Sequence, residues 1–411
     1  MPLITNISKT KQVYGVTQFP PDCKVFYPQE LVDSTCLLET GDFRVDPNRI
    51  EPKQGTNIVM FSGCPYHTTG GGQQPPQIAN ALIKLGYNIN FIQSVSEKNP
   101  IEGINIIGEP QLFAPSEAVK NGFYSKELVT ELYNEDSKNL LILTFTTDYM
   151  SDAVDTAIEL GYTVVYWCLD DWEEINKAQN CTFHRLANEI DICQKAHHVI
   201  TTASTLQQKI FTLSGRQAEV IENGVDLSQF ETAYQINKPQ DLLIGSHGTL
   251  VYWGELQGRW IDIDLIESIA ISNPNVAINL IGPYAHAPRI IQQPNVKYLG
   301  TKKVTELLAY GQYSDAGIIP FIKNTLTDAV NPIKAYEYLA CNLPIFTPRL
   351  DEMVKFPFTV FYDDAEDLSS YLKKPKNKWG EEANPDIEPF LEKSTWQQRA
   401  ISLLKGIGYV S

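Results

Sequence analysis

One pattern limits what this chain can fold into, and it runs twice. Short apolar runs, each long enough for one strand, alternate with amphipathic stretches at helical spacing. NIVMFSG (57–63), YNINFIQ (87–93), LLILTF (140–145), VVYWCL (164–169) and HVITT (198–202) form the first strand series. Apolar runs of this kind suit strands covered on both faces, as in a parallel sheet. Between them, QIANALIKLG (77–86), SDAVDTAIELG (151–161) and LANEIDICQKA (186–196) keep their apolar residues on one helical face. The polar stretch ETAYQINKPQD (231–241) breaks the series, and the alternation then restarts. Its strands are LLIGSHG (242–248), VAINLIG (276–282), VKYLG (296–300), AGIIPF (316–321) and LPIFTP (343–348). Helical spacing separates them at 262–272, 304–312 and 331–340. The chain is therefore expected to be α/β, with two Rossmann-like domains at 56–235 and 240–395. A final helix, about 396–411, is placed to pack back on the first domain. Residues 1–55, punctuated by Pro2, Pro20, Pro21, Pro28, Pro47 and Pro52, are expected to be an irregular extension over that domain.

Composition narrows the partners. Lys and Arg total 33 against 49 Asp and Glu, a net charge of −16. That argues against nucleic acid as a partner, because phosphate binding needs clustered cations. Contact with an anionic membrane would need a local patch. No apolar run approaches the ~18 residues of a spanning helix, and MPLITNISKTK lacks the apolar core of a signal peptide. The expectation is a cytoplasmic protein, with contact at the inner face of a membrane left open. The seven cysteines are scattered without a CxxC pair, and adjacent His197 and His198 lack metal-ligand spacing, so no metal is expected.

In open α/β sheets ligands bind at the carboxyl ends of the strands, so the loops there carry the candidates. Asn331, Pro332 and Lys334 open a helix after strand AGIIPF, with Pro332 suited to N1. The positive helix end and the ammonium make an anion site, and Glu337, one turn on, is placed to accept from sugar hydroxyls. The alternative is an ordinary amphipathic helix with both charges in solvent. Asp170 and Asp171 end a buried strand. One of them could serve as a base, or they could cap the helix WEEINKA. Gly70, Gly71 and Gly72, followed by Gln73, form a loop through which backbone can approach a sugar or phosphate, or a flexible connector. His67 opens that loop.

The stretch NPIKAYEYLA (331–340) resembles the donor-binding segment of the GT-B glycosyltransferases, in particular the group-1/family-4-like bacterial enzymes. Collinear similarities accompany it: VVYWCLDDW (164–172), IENGVD (221–226), GTLVYWGELQGRWIDIDLIESIA (248–270), LIGPY (280–284), NVKYLG (295–300) and TWQQRA (395–400). The resemblance spans roughly 57–405. It implies two Rossmann-like domains facing a central cleft, and transfer of a sugar from a nucleoside-diphosphate sugar to an acceptor hydroxyl, in polysaccharide or glycoconjugate synthesis. The acceptor would be a carbohydrate, lipid-linked or protein group, and neither cofactor nor metal is implied. Lys334 and Arg259 would contact the diphosphate, Glu337 the ribose, and Gly248, Thr249, Gly282 and Pro283 would belong to the donor site. His67 and the glycine loop would face the acceptor. Retaining members carry two glutamates separated by seven residues, whereas here Ala329 holds the first position with Asp328 beside it. Either Asp328 replaces that contact, or the chain belongs to a branch that lacks it, which leaves both retention and inversion open. A non-catalytic partner subunit and a sugar-nucleotide epimerase of the same fold remain as alternatives.

Overall fold

A computed structural model of the chain describes the backbone of five short strands within residues 3–45. It then describes residues 55–67, 73–93, 101–108, 123–147, 150–179, 184–230, 237–285, 287, 289–381, 383 and 386–410. In chain order the strands are β1 (Leu3–Asn6), β2 (Gln12–Tyr14), β3 (Thr17–Phe19), β4 (Lys24–Phe26), β5 (Phe43–Val45) and β6 (Thr56–Phe61). There follow β7 (Asn88–Gln93), β8 (Ile104–Gly108), β9 (Lys138–Leu143), β10 (Thr163–Cys168), β11 (His198–Thr201) and β12 (Glu219–Val220). The second half holds β13 (Gly248–Trp253), β14 (Val276–Ile281), β15 (Val296–Gly300), β16 (Ala316–Ile318), β17 (Ile345–Pro348) and β18 (Thr359–Tyr362).

Two separate sheets result. The first has the order β12-β11-β10-β9-β6-β7-β8-β4-β1-β5, and the second β15-β14-β13-β16-β17-β18. Every pairing from β12 to β4, and every pairing in the second sheet, is parallel. All six residues of β6, β13 and β14 are buried, which is why these strands read as apolar runs.

Three expectations need correction. The irregular extension contributes sheet: β4 pairs parallel with β8, and β1 lies antiparallel between β4 and β5. Strands of three or four residues are too short to show a period, yet they cover an edge that β8 would otherwise expose. The strand expected at 242–248 begins instead at Gly248. Its approach is held to the sheet by a side chain, since Asn279 accepts from Leu243 N (3.0 Å) and donates to its carbonyl (2.9 Å). Finally, Pro332 is the N-cap of the Ile333–Ala340 helix rather than its first residue, with φ −76° and ψ 117°.

The chain crosses between the two halves twice, and the crossings touch. Val225 N donates to Ser394 O (3.0 Å), and Trp396 N donates to Val225 O (3.1 Å). The Trp396–Gly406 helix then buries Trp396, Ala400, Leu403 and Leu404 against Ile58, Ile78 and Leu82 of the first half. The carboxyl ends of β10 and β13 consequently face a shared gap.

Candidate active site

A cavity of about 350 Å³ lies in that gap. Gln73, Gln74, Leu169, Asp170 and Asn223 line it from the first half, and Tyr252 to Glu255, Trp260, Phe321 and the 330–334 segment with Glu337 from the second.

The second-half wall is built around one helix start. The N–H groups of Ile333 and Lys334 open the Ile333–Ala340 helix without a partner inside it, whereas Ala335 N donates to Pro332 O at 3.0 Å, and Ile333 and Lys334 both line the cavity. Lys334 runs over two aromatic faces, with Nζ 4.8 Å from the Phe321 ring centre and 5.5 Å from that of Tyr252. Gly254, at φ +140°, allows this close passage, because a Cβ there would lie 3.0 Å from Lys334 Cε. Burial lowers the Lys334 pKa to about 8, although the charges of Glu337 and Asp170 oppose the shift. Glu337 is 4% exposed and accepts from Trp253 Nε1 at 2.6 Å. Burial raises its pKa to about 7 against the pull of Trp253 and Lys334. Trp253 is itself fixed by Tyr338, whose ring centre is 4.3 Å away and whose hydroxyl accepts from Trp253 N at 3.2 Å.

Asp170 and Asp171, neighbours in sequence, have opposite surroundings. Asp171 accepts from Glu174 N at 3.0 Å at the start of the Trp172–Gln179 helix and pairs with Lys209. It caps a helix and forms an ion pair, both through Oδ1, and it does not line the cavity, so the structure does not bring the expected catalytic role to it. Asp170 lines the cavity, half-buried. Burial, then the Asp171 charge, raise its pKa to about 7, while Lys334 draws it down.

Several other candidates lie elsewhere. Gly248 and Thr249 stand at the amino end of β13, opposite the cavity. Gly248 packs against the Trp379 ring, and Thr249 N donates to Asp315 Oδ2 (2.9 Å). A motif that starts at its strand's first residue places its leading residues a full strand length from the site. Gly282 and Pro283 sit behind the cavity wall. Gly282, at φ +146°, must be glycine, since a Cβ would come 1.8 Å from the Gly254 carbonyl oxygen. Arg259 is exposed and does not line the cavity. His67 is exposed, edge-on to Tyr66 at 5.3 Å. Gly70, Gly71 and Gly72 lie outside the described residues, while Gln73 lines the cavity as the N-cap of the Gln74–Lys84 helix.

Asn331 and Asp328 serve the contact between the halves. Asn331 Oδ1 accepts from Asn223 N (3.1 Å) and Tyr336 Oη (3.0 Å), and its carbonyl accepts from Asn223 Nδ2 (2.7 Å). Asn331 lines the cavity, but these bonds occupy its side-chain oxygen. Asp328 does not line the cavity, and its carbonyl accepts from Thr205 Oγ1 (3.3 Å). Ala329, at the position of the missing glutamate, is 2% exposed and packs with the apolar core of the first half. The proposed replacement of that glutamate by Asp328 is therefore not what the geometry provides. Among the described residues, no group of three or more His, Cys, Asp or Glu side chains converges as a metal site requires. No helix among them is long and apolar enough to cross a membrane.

Sequence reasoning missed Gln74, Asn223 and Trp253. Trp253 was signalled only by its place at the end of an apolar run before Gly254, and Asn223 by the NGVD turn. Gln74 gave no signal beyond following the glycine loop.

Solved structures with this architecture decide what the fold is. A glycosyltransferase from Rickettsia africae ESF-5 superposes with a TM-score of 0.62 at 13% identity, covering 87% of this chain and all of that one. WaaG, a glycosyltransferase involved in lipopolysaccharide biosynthesis, gives 0.60 at 12% identity over 85% of this chain and 99% of its own. The fold is GT-B. The E. coli trehalose-6-phosphate protein bound to UDP-2-fluoro glucose shares this GT-B fold, with a TM-score of 0.57, 10% identity, and coverage of 86% and 99%. By sequence, TuaH of Bacillus subtilis (strain 168), named for a glycosyltransferase of teichuronic acid biosynthesis, is 25% identical over 218 residues. The match takes in 49% of this chain and 54% of TuaH, so the chain spans about half the length of the curated relative. No family model matches the chain.

Proposed function

We propose that this protein transfers a glycosyl group from a nucleoside-diphosphate sugar to an acceptor hydroxyl, in the assembly of a polysaccharide or other glycoconjugate. The observation that carries this reading is the juxtaposition of Lys334, the open start of its helix and Glu337 at one end of a cavity that Asp170 closes from the other half. The Lys334 ammonium and the amides of Ile333 and Lys334 would hold the diphosphate and neutralise it as it leaves, the part a metal ion plays in other transferases. Diphosphate beside Lys334 raises the ammonium's pKa, so the lysine is charged when it is needed. Glu337, with one oxygen held by Trp253, would offer the other to the ribose hydroxyls. Asp170, with its pKa near 7, is suited to accept the acceptor proton. The half-to-half contacts around Asn331 and Ala329 would keep water from the reacting centre, favouring transfer over hydrolysis.

The hexosyl nature of the transferred group and independence of a metal belong to this proposal, as do a cytoplasmic setting and contact with a membrane-borne acceptor. The name of TuaH points towards a cell-surface polysaccharide. Incubation with UDP-, GDP- and dTDP-sugars, with and without chelator and a panel of glycan acceptors, tests it by nucleotide release. Acceptor-dependent release of one nucleotide, insensitive to chelator, is expected. Nucleotide binding without release in any combination would instead mark a silent partner subunit, and release without acceptor an epimerase-like or hydrolytic activity.

A further inference from the structure

One carboxylate bridges the two halves without lining the cavity. Glu352 lies in the short helical turn Asp351–Lys355, just past the carboxyl end of β17 in the second half, and is 3% exposed. Its Oε1 accepts from Ser204 N at 3.0 Å. Ser204 is the first residue of the first-half helix Ser204–Ser214, and the N-cap there, Ala203, has no side chain able to cap it. The second half thus supplies the cap that the first half lacks, and a carboxylate suits a helix start because that is its positive end. Glu352 Oε2 accepts from Asn331 Nδ2 at 3.4 Å and pairs with Lys355, which also pairs with Glu222 of the first half. Asn331 in turn accepts from Asn223 N, and the helix start that bears Lys334 comes just after it. A buried carboxylate persists where its oxygens are paired, and those of Glu352 find partners on both sides of the gap. Such contacts can be exchanged for water, which suits an interface that opens and recloses.

We propose that Glu352 is a positioning residue: by capping the Ser204–Ser214 helix from the opposite half and holding Asn331, it keeps the halves in the register in which Asp170 meets a donor bound at Lys334. The inference rests on the transfer reading above. Glu352 does not line the cavity, so it acts through Ser204 and Asn331. Loss of the clasp should spare the bare nucleotide, whose binding groups stand on the second-half wall. It should damage the step that needs both walls at once, since misplacing reacting groups by about 1 Å can cost about 10²-fold in rate.

Two variants of the full chain break the contact from opposite sides. Ser204→Pro removes the donor N–H. Proline is accepted at a first helical position, and Ala203 before it is already extended, at φ −141° and ψ 149°. Glu352→Ala removes the acceptor. Hydrogen exchange, followed by mass spectrometry, reads the amide of Asn223, which is bonded to Asn331 and not to Glu352. It should exchange about tenfold faster in both variants, as for loss of a supporting hydrogen bond to a charged group. Affinity for bare UDP, GDP or dTDP, whichever binds, should stay within about threefold by calorimetric titration. For the donor and acceptor that release nucleotide in the panel above, kcat should fall about 10- to 100-fold. Unchanged Asn223 exchange, or unchanged kcat, overturns the proposal. Nucleotide affinity lost in step with kcat overturns it too, because Glu352 would then shape the donor site alone. Should Glu352→Ala fail to fold, Ser204→Pro decides by the same three readings. If no donor and acceptor release nucleotide with the unsubstituted protein, the transfer reading fails and this one with it. Release that both variants retain in full sinks this one alone.

Discussion

The two walls of the cavity differ in how they treat their own polar groups. On the second-half wall, Trp253 already holds Glu337, and Tyr338 holds Trp253, so the recognition groups are locked before any ligand arrives. On the first-half wall, Gln74 and Asn223 are buried with open atoms, and Asp170 is a carboxylate in a site that penalises its charge. The pre-organised wall suits a component common to many donors, the nucleotide and its diphosphate. The unsatisfied wall suits the atom that reacts. Substitutions on the second-half wall should therefore change nucleotide affinity, and those on the first-half wall should change turnover.

The largest effect expected is at Asp170. Asp170→Asn should lower kcat by about 10²–10⁴-fold, the range for loss of a general base, with nucleotide affinity within a few-fold. A variant that keeps its turnover would remove Asp170 from the chemistry and erase the division between the walls. Asp171→Asn makes the complementary case. Weakening a helix cap and an ion pair with Lys209 should cost about 0.5–2 kcal/mol of stability, read as a lower Tm, with kcat little changed.

The pH dependence sharpens the comparison, because the carboxylate on each wall and the ammonium of Lys334 titrate in opposite senses. Asp170 and Glu337 are raised to about 7 and act as carboxylates, so kcat/KM should climb as pH rises through about 7. Lys334 is lowered to about 8 and acts as a cation, so kcat/KM should fall as pH passes about 8. A bell with a narrow top between these values is expected, and a flat profile from pH 6 to 9 would contradict it. A smaller effect is expected at Trp253. Its N–H favours the ionised form of Glu337, so Trp253→Phe should raise the Glu337 pKa. The acid limb should move to higher pH, with a several-fold rise in donor KM. An unmoved limb would show that Trp253 only packs.

The architecture was legible because buried parallel strands leave continuous apolar runs, as in NIVMFSG and VVYWCL. The short strands before Gly55 were not, since a partner strand rather than their own composition holds them extended. Within the site, Lys334 and Glu337 were legible because one helix turn sets their spacing. Asp170 and Asp171 were inseparable in the sequence, and only the direction of each side chain, set by the end of β10, divides a cavity carboxylate from a helix cap. Gln74 was invisible because what marks it is the absence of a partner, which depends on everything packed around it. Asn331 lines the cavity, as expected, but its second role was invisible. Its position at a helix start suggested a ligand contact, yet its side chain ties the two halves together.

The central claim is that the second half holds the diphosphate through Lys334 and the helix start behind it. Calorimetric titration of the unsubstituted protein and of Lys334→Ala with the nucleoside diphosphate that binds tests it most directly. The account predicts a loss of about 10- to 100-fold in affinity, from removal of one charge-assisted contact in a desolvated site. Equal affinity in the two proteins would contradict it.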